Sequence, residues 1–417
     1  MSMRTATLPG VQPVRDTARG TQVPASRAQT ADTTDLPARA AKVAQVAAEY
    51  TAAVDRDARF PTEAMAAARA ERLLGIAVPR ELGGEGASLS DVVDVCYALG
   101  RACASTAMIF AMHQTKVACI VRHGKGAAWH HFLLRRLCSE QMLLASSTTE
   151  GGGGGDVRNS SAAIERRDGR IALERQATVI SYGEAADGIV TTARRSADAA
   201  SADQVLAVFL KPDYTLEQLV GWDALGMRGT CSAGFKLIAS GAAEQILPVS
   251  YEKIHAQTMM PVAHLTWSGA WAGIAAAAVD CTRAFVRKAA QRADGKLPPG
   301  AAHLTRANAS LRTLRSLMAS ALQRFEAAAE DPQALESVEF QTAMNLHKVN
   351  ASELAVATVM SAMQACGLSG YRNDNEFSIC RHLRDILSSP IMISNDRILA
   401  NLATASLLGS TPDSLRD

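Results

Sequence analysis

The chain of 417 residues carries 43 lysines and arginines against 41 aspartates and glutamates, a net charge of +2 at pH 7. This even mixture, without a basic block, excludes an electrostatic nucleic-acid binder and favours small molecules or proteins as partners. The length predicts about two to three domains. Eight cysteines without a C-x-x-C pair indicate neither a zinc site nor a disulfide framework, so we expect no bound metal and reduced thiols in the cytoplasm.

The N-terminal segment, residues 1–38, is rich in Ala, Thr, Arg, Pro and Gln and has almost no periodicity. It lacks an apolar signal core, so we expect a disordered tail rather than a targeting peptide. Residues 39–143 show apolar residues at three-to-four spacing, which predicts an α-helical domain in which Ser90 is an N-cap. The predicted helices are Ala38–Ala53, Pro61–Leu74, Ser90–Cys103, Ser105–Val121 and Ala127–Ser139.

A change of period marks the second domain, residues 144–247, where short apolar runs alternate with Asp/Gly turns and predict a small β-barrel or sheet. The runs are Ser161–Arg166, Arg170–Glu174, Gly188–Thr192 and Val205–Leu210. Five consecutive glycines, Gly151–Gly155, stand at the entrance to this domain. Their unobstructed main-chain N–H groups suit a diphosphate, although a flexible linker has the same composition.

Residues 248–417 return to helical periodicity and predict a bundle of long helices. The predicted helices are Pro261–Val279, Ala301–Ala329, Ala334–Gly367 and Ser394–Leu408. The first has no formal charge and is long enough to span a membrane, but it is Ala/Gly-rich and contains polar side chains. We therefore expect a buried bundle helix and no membrane partner.

Several local motifs, in this order along the chain, resemble those of the acyl-CoA dehydrogenase family of flavoproteins over about residues 40–410. They are Phe60–Pro61, Gly75–Gly86, Thr149–Asp156, Leu225–Thr230, Gln364–Tyr371 and Arg384–Asp385. The resemblance implies an α+β, mainly α fold with an N-terminal helical domain, a middle β domain and a C-terminal four-helix bundle. It also implies FAD between the β domain and the bundle, shared with a neighbouring subunit, and hence a homodimer or homotetramer.

The resemblance implies the following cofactor contacts. Thr149 touches the flavin, Gly154 and Gly155 lie beside the diphosphate, Val179 replaces a tryptophan that covers the ring, and Ser181 faces the flavin N5 edge. Gln364, Gly367 and Gly370 receive the FAD of the neighbouring subunit, Asn395 and Arg397 match a Thr-x-Gln pair, and Arg287 competes with Arg292 for a family arginine. Each also has an ordinary interpretation: a glutamine can satisfy a helix end, and a serine can be a plain strand hydroxyl. Arg384–Asp385 is interpreted as a structural ion pair.

The family's catalytic base is where this sequence departs from the pattern. Family dehydrogenases remove the α-proton of an acyl thioester with a glutamate while a hydride leaves to flavin N5. Ile393 stands where most members have that glutamate, and the alternative position aligns near Val262. The candidates left are Asp396, otherwise a carboxylate at a helix N-terminus, and His264, otherwise a satisfied core histidine. The family also polarises the thioester carbonyl with a main-chain N–H at the base position. That N–H is present whether the side chain is a glutamate or an isoleucine.

Three functions remain open. The first is an FAD-dependent oxidoreductase acting on an acyl thioester, carried by CoA or by a carrier protein, through α,β-oxidation or related chemistry with a non-standard base. The second is a flavin-dependent monooxygenase on the same scaffold, which needs no α-proton base. The third is a non-catalytic family member. Arg384–Asp385 and the Gly226–Thr230 loop favour thioester chemistry, whereas the small Val179 and Gly155 leave space beside the flavin for an altered substrate or oxygen. The electron acceptor is left open.

Overall fold

The computed structural model describes residues 35–150 and 157–408. Its first part is helical, with short 3-10 turns at Leu73–Gly75 and Arg80–Leu82. The helices are α1 (Leu36–Arg56), α2 (Thr62–Ala70), α3 (Leu89–Ala102), α4 (Ala104–His123) and α5 (Ala128–Glu140).

The predicted N-cap of α3 is wrong by two residues. Ser88 accepts the Asp91 N–H at 3.1 Å, and the Asp91 carboxylate accepts the Ser88 N–H at 2.9 Å. This reciprocal pair is a capping box, which satisfies two N–H groups that the first helical turn leaves unpaired. Ser90 therefore lies inside the helix, where its hydroxyl donates to Glu326 instead.

The middle of the chain forms two sheets. The strands are β1 (Leu144–Ser147), β2 (Glu165–Arg167), β3 (Arg170–Ala177), β4 (Gly188–Arg194), β5 (Gln204–Leu210), β6 (Tyr214–Val220) and β7 (Gly234–Ala242). The sheet orders are β1-β4-β5 and β2-β3-β7-β6, and only β1 and β4 pair in parallel among these strands. β3 alternates buried and exposed residues, as expected of a strand with one face on the core. The predicted run Ser161–Arg166 is a strand only from Glu165, because Ser161 binds a carboxylate instead.

The last part of the chain is helical. The elements are α6 (Tyr251–Ile254), a π-helical turn (His255–Met259), α7 (Met260–Arg292), α8 (Ala301–Ala328), α9 (Pro332–Glu336), α10 (Val338–Cys366), α11 (Leu368–Tyr371), α12 (Cys380–Ile386) and α13 (Asn395–Leu408). The single helix predicted over Ala334–Gly367 is divided, because the Ser337 hydroxyl accepts the Phe340 N–H and starts α10 afresh. The predicted fold class, mainly α with a middle sheet region, is confirmed.

The stretch Tyr251–Arg292 is long and apolar enough to cross a membrane by length and composition, yet 89% of its most apolar window is buried inside the protein. Its small residues explain the close packing: a Cβ on Gly273 would lie 2.3 Å from the Tyr97 carbonyl oxygen of α3. Glycine therefore lets the backbones of α3 and α7 touch. α7 is the central helix of the core, packed by α3, α4, α8 and α10.

Candidate functional site

The strand β1 leads to Thr149, and a buried histidine fixes its start. The His113 Nδ1 atom accepts the Leu144 N–H at 3.0 Å, so Nε2 carries the proton and donates to the Leu74 carbonyl at 2.8 Å. Burial lowers the pKa of His113 to about 4, which keeps the ring neutral. The start of β1 is therefore held against α4 by this histidine.

The structure brings together three of the residues predicted to contact the flavin. Glu150, which follows Thr149, pairs with Ala177 at the end of β3 as an isolated antiparallel bridge. Thr149 therefore lies beside the segment after β3 that contains Val179 and Ser181. All three side chains are half-buried. The two main-chain segments that carry these residues are therefore adjacent.

A chain of hydroxyl groups runs from this place to the Leu225–Thr230 turn. The Ser181 Oγ lies 2.7 Å from the Ser232 Oγ, which lies 2.8 Å from the Thr230 Oγ1. Thr230 in turn donates to the Met227 carbonyl at 2.8 Å. Ser181 is therefore more than an isolated strand hydroxyl, because its position depends on this turn.

Glu150 anchors the start of the glycine-rich segment. Its carboxylate accepts the Ser160 hydroxyl and the Ser161 N–H, both at 2.6 Å, and lies 3.2 Å from the Arg175 guanidinium. Burial opposes ionisation, but the bonds from Ser160 and Ser161 and the nearby guanidinium hold the pKa of Glu150 below its usual value. The sequence pattern did not reveal this pair, because Arg175 looks like any strand arginine until β3 is placed.

The Leu225–Thr230 turn is held by a buried carboxylate from α12. Asp385 accepts the Met227 N–H at 2.7 Å, and Met227 has a positive φ of 51°. Burial raises the pKa of Asp385 to about 6. A Cβ on Gly226 would lie 2.1 Å from the Arg384 carbonyl oxygen. The turn and α12 therefore pack backbone against backbone.

Arg384 extends the same junction to the first helix. Its guanidinium forms two bonds to the Asp55 carboxylate, at 2.9 and 2.5 Å, and a third to the Leu225 carbonyl at 3.1 Å. Arg228 donates to the Asp55 carbonyl at 2.7 Å. These bonds join α1, the turn and α12, and they use the polar groups of both Arg384 and Asp385. Their geometry agrees with the structural role expected of this pair.

The glycine-rich turn after α10 presents its apolar side chains to solvent. Gly367 has a positive φ of 54°, which favours glycine, and Gly370 is buried. Gln364 is exposed, and Leu368 and Tyr371 are each 73% exposed. This turn lies at the surface, where a second molecule can reach it.

The turn at Ile393 is held by a lysine. Ile393 has a φ of 46°, unusual for a β-branched residue. The Lys348 Nζ of α10 donates to the Ile393 carbonyl at 2.9 Å and to the Asn395 Oδ1 at 2.7 Å. The Asn395 amide also donates to the Ser352 hydroxyl at 3.0 Å. No sequence motif marks Lys348, which lies 45 residues before the turn that it holds.

Comparison with known proteins assigns the chain to a family. The sequence profile of the acyl-CoA dehydrogenase N-terminal domain matches residues 30–141, and that of the C-terminal domain matches residues 255–408. The chain belongs to the acyl-CoA dehydrogenase family. A 3-sulfinopropanoyl-CoA desulfinase of Paraburkholderia xenovorans (strain LB400) is 33% identical over 81 residues, 19% of this chain and 21% of that protein. The match thus spans about a fifth of that relative's length.

Solved structures share the fold along nearly the whole chain. FMN-bound TdsC from Paenibacillus sp. A11-2 aligns with a TM-score of 0.79 and 17% identity, covering 90% of this chain and 98% of that one. The nitrososynthase of Micromonospora carbonacea var. africana aligns with a TM-score of 0.76 and 23% identity, covering 89% and 95%. KijD3 in complex with dTDP gives a TM-score of 0.75 and 24% identity, covering 90% and 96%. These likenesses show the acyl-CoA dehydrogenase fold.

The two residues predicted as bases lie in different surroundings. Asp396, in the first turn of α13, is exposed. His264 is buried in α7, its Nδ1 lies 3.2 Å from the Met344 carbonyl oxygen, and burial lowers its pKa to about 3. The structure does not bring the two side chains together in any contact, and their catalytic roles stay predictions.

The remaining predicted cofactor residues are distributed over several elements. Arg287 is exposed on α7, and Arg397 is half-buried in α13. Asn395 is buried and its amide is engaged by Lys348 and Ser352. Gly154 and Gly155 lie outside the described residues. Flavin contact by these residues stays a prediction.

A separate cavity of about 160 Å³ lies between α3, α4, α8 and the start of α7. Gln114 lines it: the Nε2 of Gln114 donates to the Leu73 and Leu74 carbonyls, and its Oε1 has no partner within residues 35–150 and 157–408. Val262, near which the family's alternative base position aligns, lines this cavity, whereas none of the predicted cofactor contacts that the structure describes does. It is therefore separate from Thr149, Val179 and Ser181, the residues predicted to contact the flavin.

Proposed function

We propose that the chain is a flavin-dependent monooxygenase that uses FAD and acts on a small molecule. The observation that carries the proposal is the Ile393 turn, where most family members have a carboxylate and this chain has an aliphatic side chain whose turn is held by Lys348. Removal of an α-proton requires a positioned base. Oxygen transfer requires no such base at this position.

The residues at the strand ends fit the polar edge of a flavin ring. Thr149 and Ser181 each offer a half-buried hydroxyl, and Ser181 is oriented by its contact with Ser232. When bound and reduced, the flavin supplies two electrons that split O₂ into one oxygen atom for the substrate and one for water, with two protons taken up. Val179, smaller than the family's tryptophan, leaves room beside the ring for substrate or O₂.

The structural neighbours support this choice without deciding it. TdsC is described as a dibenzothiophene monooxygenase, and the neighbour from Micromonospora is a nitrososynthase. TdsC binds FMN, and so does KijD3. The proposal of FAD rather than FMN rests on the glycine-rich turn Gln364–Tyr371, which the family uses for the FAD of a neighbouring subunit.

Exposed apolar side chains support a homodimer or homotetramer. Leu368 and Tyr371 of α11 are exposed, as are Leu346 and Met360 of α10 and Leu399 of α13. Exposed apolar side chains such as Leu368 and Tyr371, one turn apart in α11, favour contact with another protein surface. Light scattering of the purified protein measures the oligomer, and a monomer at micromolar concentration contradicts this part of the proposal.

Oxidation of an acyl thioester, on CoA or on a carrier protein, is the second candidate. The 81-residue match to a CoA-thioester desulfinase favours it. Two features that the sequence offered in its favour have a structural explanation, because Asp385 and Arg384 are bound to the Leu225–Thr230 turn and to Asp55. In this second function Asp396 or His264 is the proposed base.

One set of measurements separates these functions. The purified protein is denatured and its released flavin identified by mass, and the holoenzyme is then reduced and mixed with ¹⁸O₂ and a panel containing dibenzothiophene, indole and a dTDP-amino sugar. We expect FAD and a product carrying one ¹⁸O atom. Anaerobic bleaching of the flavin by an acyl-CoA, with no ¹⁸O in any product, establishes the second candidate instead. A colourless protein whose Tm does not rise with FAD contradicts both.

A further inference from the structure

Lys348 is a buried cation whose presence has no explanation in the packing of the bundle. Its side chain is 0% exposed. Within residues 35–150 and 157–408 it forms no ion pair with a carboxylate, and its Nζ donates to two neutral oxygens, those of Ile393 and Asn395. A buried charge without a counter-ion is unfavourable, and local violations of this kind concentrate at functional sites.

The two bonds of Lys348 hold the chain on both sides of Ser394, at the Ile393 carbonyl and at the Asn395 side chain. Because a trans peptide is planar, holding the Ile393 carbonyl also fixes the Ser394 N–H in the opposite direction, away from Lys348. On the other side of Ser394, Asn395 is held by Lys348 and by Ser352 and begins α13. A single side chain therefore sets the orientation of the whole turn.

The backbone of this turn is in an unfavourable conformation. Ile393 has a φ of 46°, and a β-branched side chain disfavours this region. Such a conformation persists only where the surroundings over-determine it. Two polar contacts hold it: the bond from Lys348 to the Ile393 carbonyl, and the main-chain bond from the Asn395 N–H to the Pro390 carbonyl.

An aromatic ring and two histidines pack around Lys348. The Trp271 ring centroid lies 5.8 Å from its Nζ. His264 and His347 are nearby and buried, and burial lowers their pKa values to about 3 and about 4, so both rings are neutral. The aromatic face attracts the ammonium without acting as a hydrogen-bond acceptor for it.

We propose that Lys348 is a positioning residue for the reaction, because the hydrogen bonds from its Nζ hold the Ile393–Asn395 turn in the orientation that the substrate and flavin meet. This inference rests on the proposed function. The role belongs to the lysine and is independent of whether the reaction proceeds through O₂ or through a thioester. A purely structural lysine would affect stability but not the geometry of this turn.

The test compares Lys348→Met, which keeps the length and removes the charge, with Lys348→Arg, which keeps charge and donors. Lys42→Met is the matched control, because Lys42 is an exposed lysine of helix α1 that forms an ion pair with Glu71. For Lys348→Met we expect kcat to fall about 100-fold, as for small displacements of a catalytic contact, with KM changed less than about 3-fold. Lys348→Arg should retain part of the wild-type kcat, and Lys42→Met should retain all of it.

Hydrogen exchange provides a readout that needs neither flavin nor substrate. In Lys348→Met, we expect the amides of residues 391–396 to exchange at least about 10-fold faster, while those of α1 are unchanged. Unchanged exchange in this segment overturns the inference, and so does a kcat within twofold of the wild type in an active holoenzyme. If exchange accelerates but the wild-type protein binds no FAD, the proposed function fails and the role of Lys348 in holding the turn stands.

Discussion

Two turns in this chain are built alike and are held by opposite charges. In the Leu225–Thr230 turn, Met227 has a φ of 51° and its N–H is held by the buried carboxylate of Asp385. In the other turn, Ile393 has a φ of 46° and its carbonyl is held by the buried ammonium of Lys348. Asp385 lies beside Arg384, which joins α12 to Asp55 of α1, whereas Lys348 has no ion pair in the described part of the chain.

The difference separates a turn that supports the fold from a turn that serves the site. The junction around Asp385 connects three parts of the chain through the Arg384–Asp55 ion pair and the bond from the Met227 N–H to Asp385, so its loss should destabilise the fold. The turn at Ile393 is tied to one helix by one unpaired cation, an arrangement that adds little stability. We therefore expect substitutions at the first turn to act on stability and those at the second on activity.

The largest expected effect is that of Gly226→Ala at the junction. The new Cβ would lie 2.1 Å from the Arg384 carbonyl oxygen, which is backbone and cannot rotate away. We expect the free energy of unfolding to fall by about 3 kcal/mol or more, measured by denaturant unfolding. Gly221→Ala is the control, since its Cβ meets only the Gln218 amide at 3.8 Å and should cost well under 1 kcal/mol. Equal losses in the two variants would contradict a close backbone contact at Gly226.

Asp385→Ala should have the next largest effect on the free energy of unfolding. It leaves the buried Met227 N–H without its acceptor, which costs about 2–3 kcal/mol in the free energy of unfolding. Asp385→Asn keeps an acceptor oxygen and should lose less than half as much. Differential scanning calorimetry of both variants measures this, and an Asn variant as unstable as the Ala variant would show that the charge, and not the hydrogen bond, holds the turn.

The two turns also differ in how much of each could be predicted from the sequence. Gly226, Arg384 and Asp385 stand in short motifs that the sequence singles out, although the contact between the two motifs was not predicted. The helices and the family were predictable for the same reason, because helical periodicity and local motifs need only neighbouring residues. The sequence placed Ile393 at the base position, also from a local motif.

What the sequence did not reveal depends on contacts between distant residues. Lys348 in α10 looks like an ordinary helical lysine until α13 is placed against it, and Arg175 looks like a strand arginine until Glu150 is placed. β1, β6 and β7 were not predicted, because the stability of a strand comes from pairing with another strand, which for β1 and β7 lies far along the chain. The positive φ of Ile393 is equally invisible, since no glycine or asparagine marks it.

A third prediction concerns the pH dependence of stability that Lys348 creates. Burial lowers the pKa of Lys348 from 10.5 to about 7, so between these values the unfolded chain binds the extra proton. This group's contribution to stability is therefore complete above about pH 10.5 and is lost as the pH falls through about 7. The charged or titratable groups around it are Glu353, His264 and His347.

Lys348→Met should flatten this dependence. Relative to the wild type, the slope of the free energy of unfolding between pH 7.5 and pH 9.5 should decrease by up to about 1.4 kcal/mol per pH unit, and in practice by about half of that. Burial also lowers the pKa of Lys116 to about 8. That contribution is common to both proteins and cancels in the difference. Parallel curves for the two proteins would show that Lys348 does not titrate in this range.

The smallest expected effect is at Ile393 itself, and it tests whether the conformation of the turn is stored strain. Asparagine tolerates a positive φ better than a β-branched residue, so Ile393→Asn should relieve about 1 kcal/mol of backbone strain while losing a similar amount of apolar burial, since Ile393 is half-buried. The net change in the free energy of unfolding should thus stay within about 0.5 kcal/mol.

Ile391→Asn is the control: Ile391 is 75% exposed and has no positive φ, so its substitution measures the change of side chain without relief of strain. If Ile393→Asn is destabilised by more than about 1.5 kcal/mol relative to that control, the turn is held by packing of the isoleucine side chain, and the contrast with the Asp385 junction is smaller than its geometry indicates.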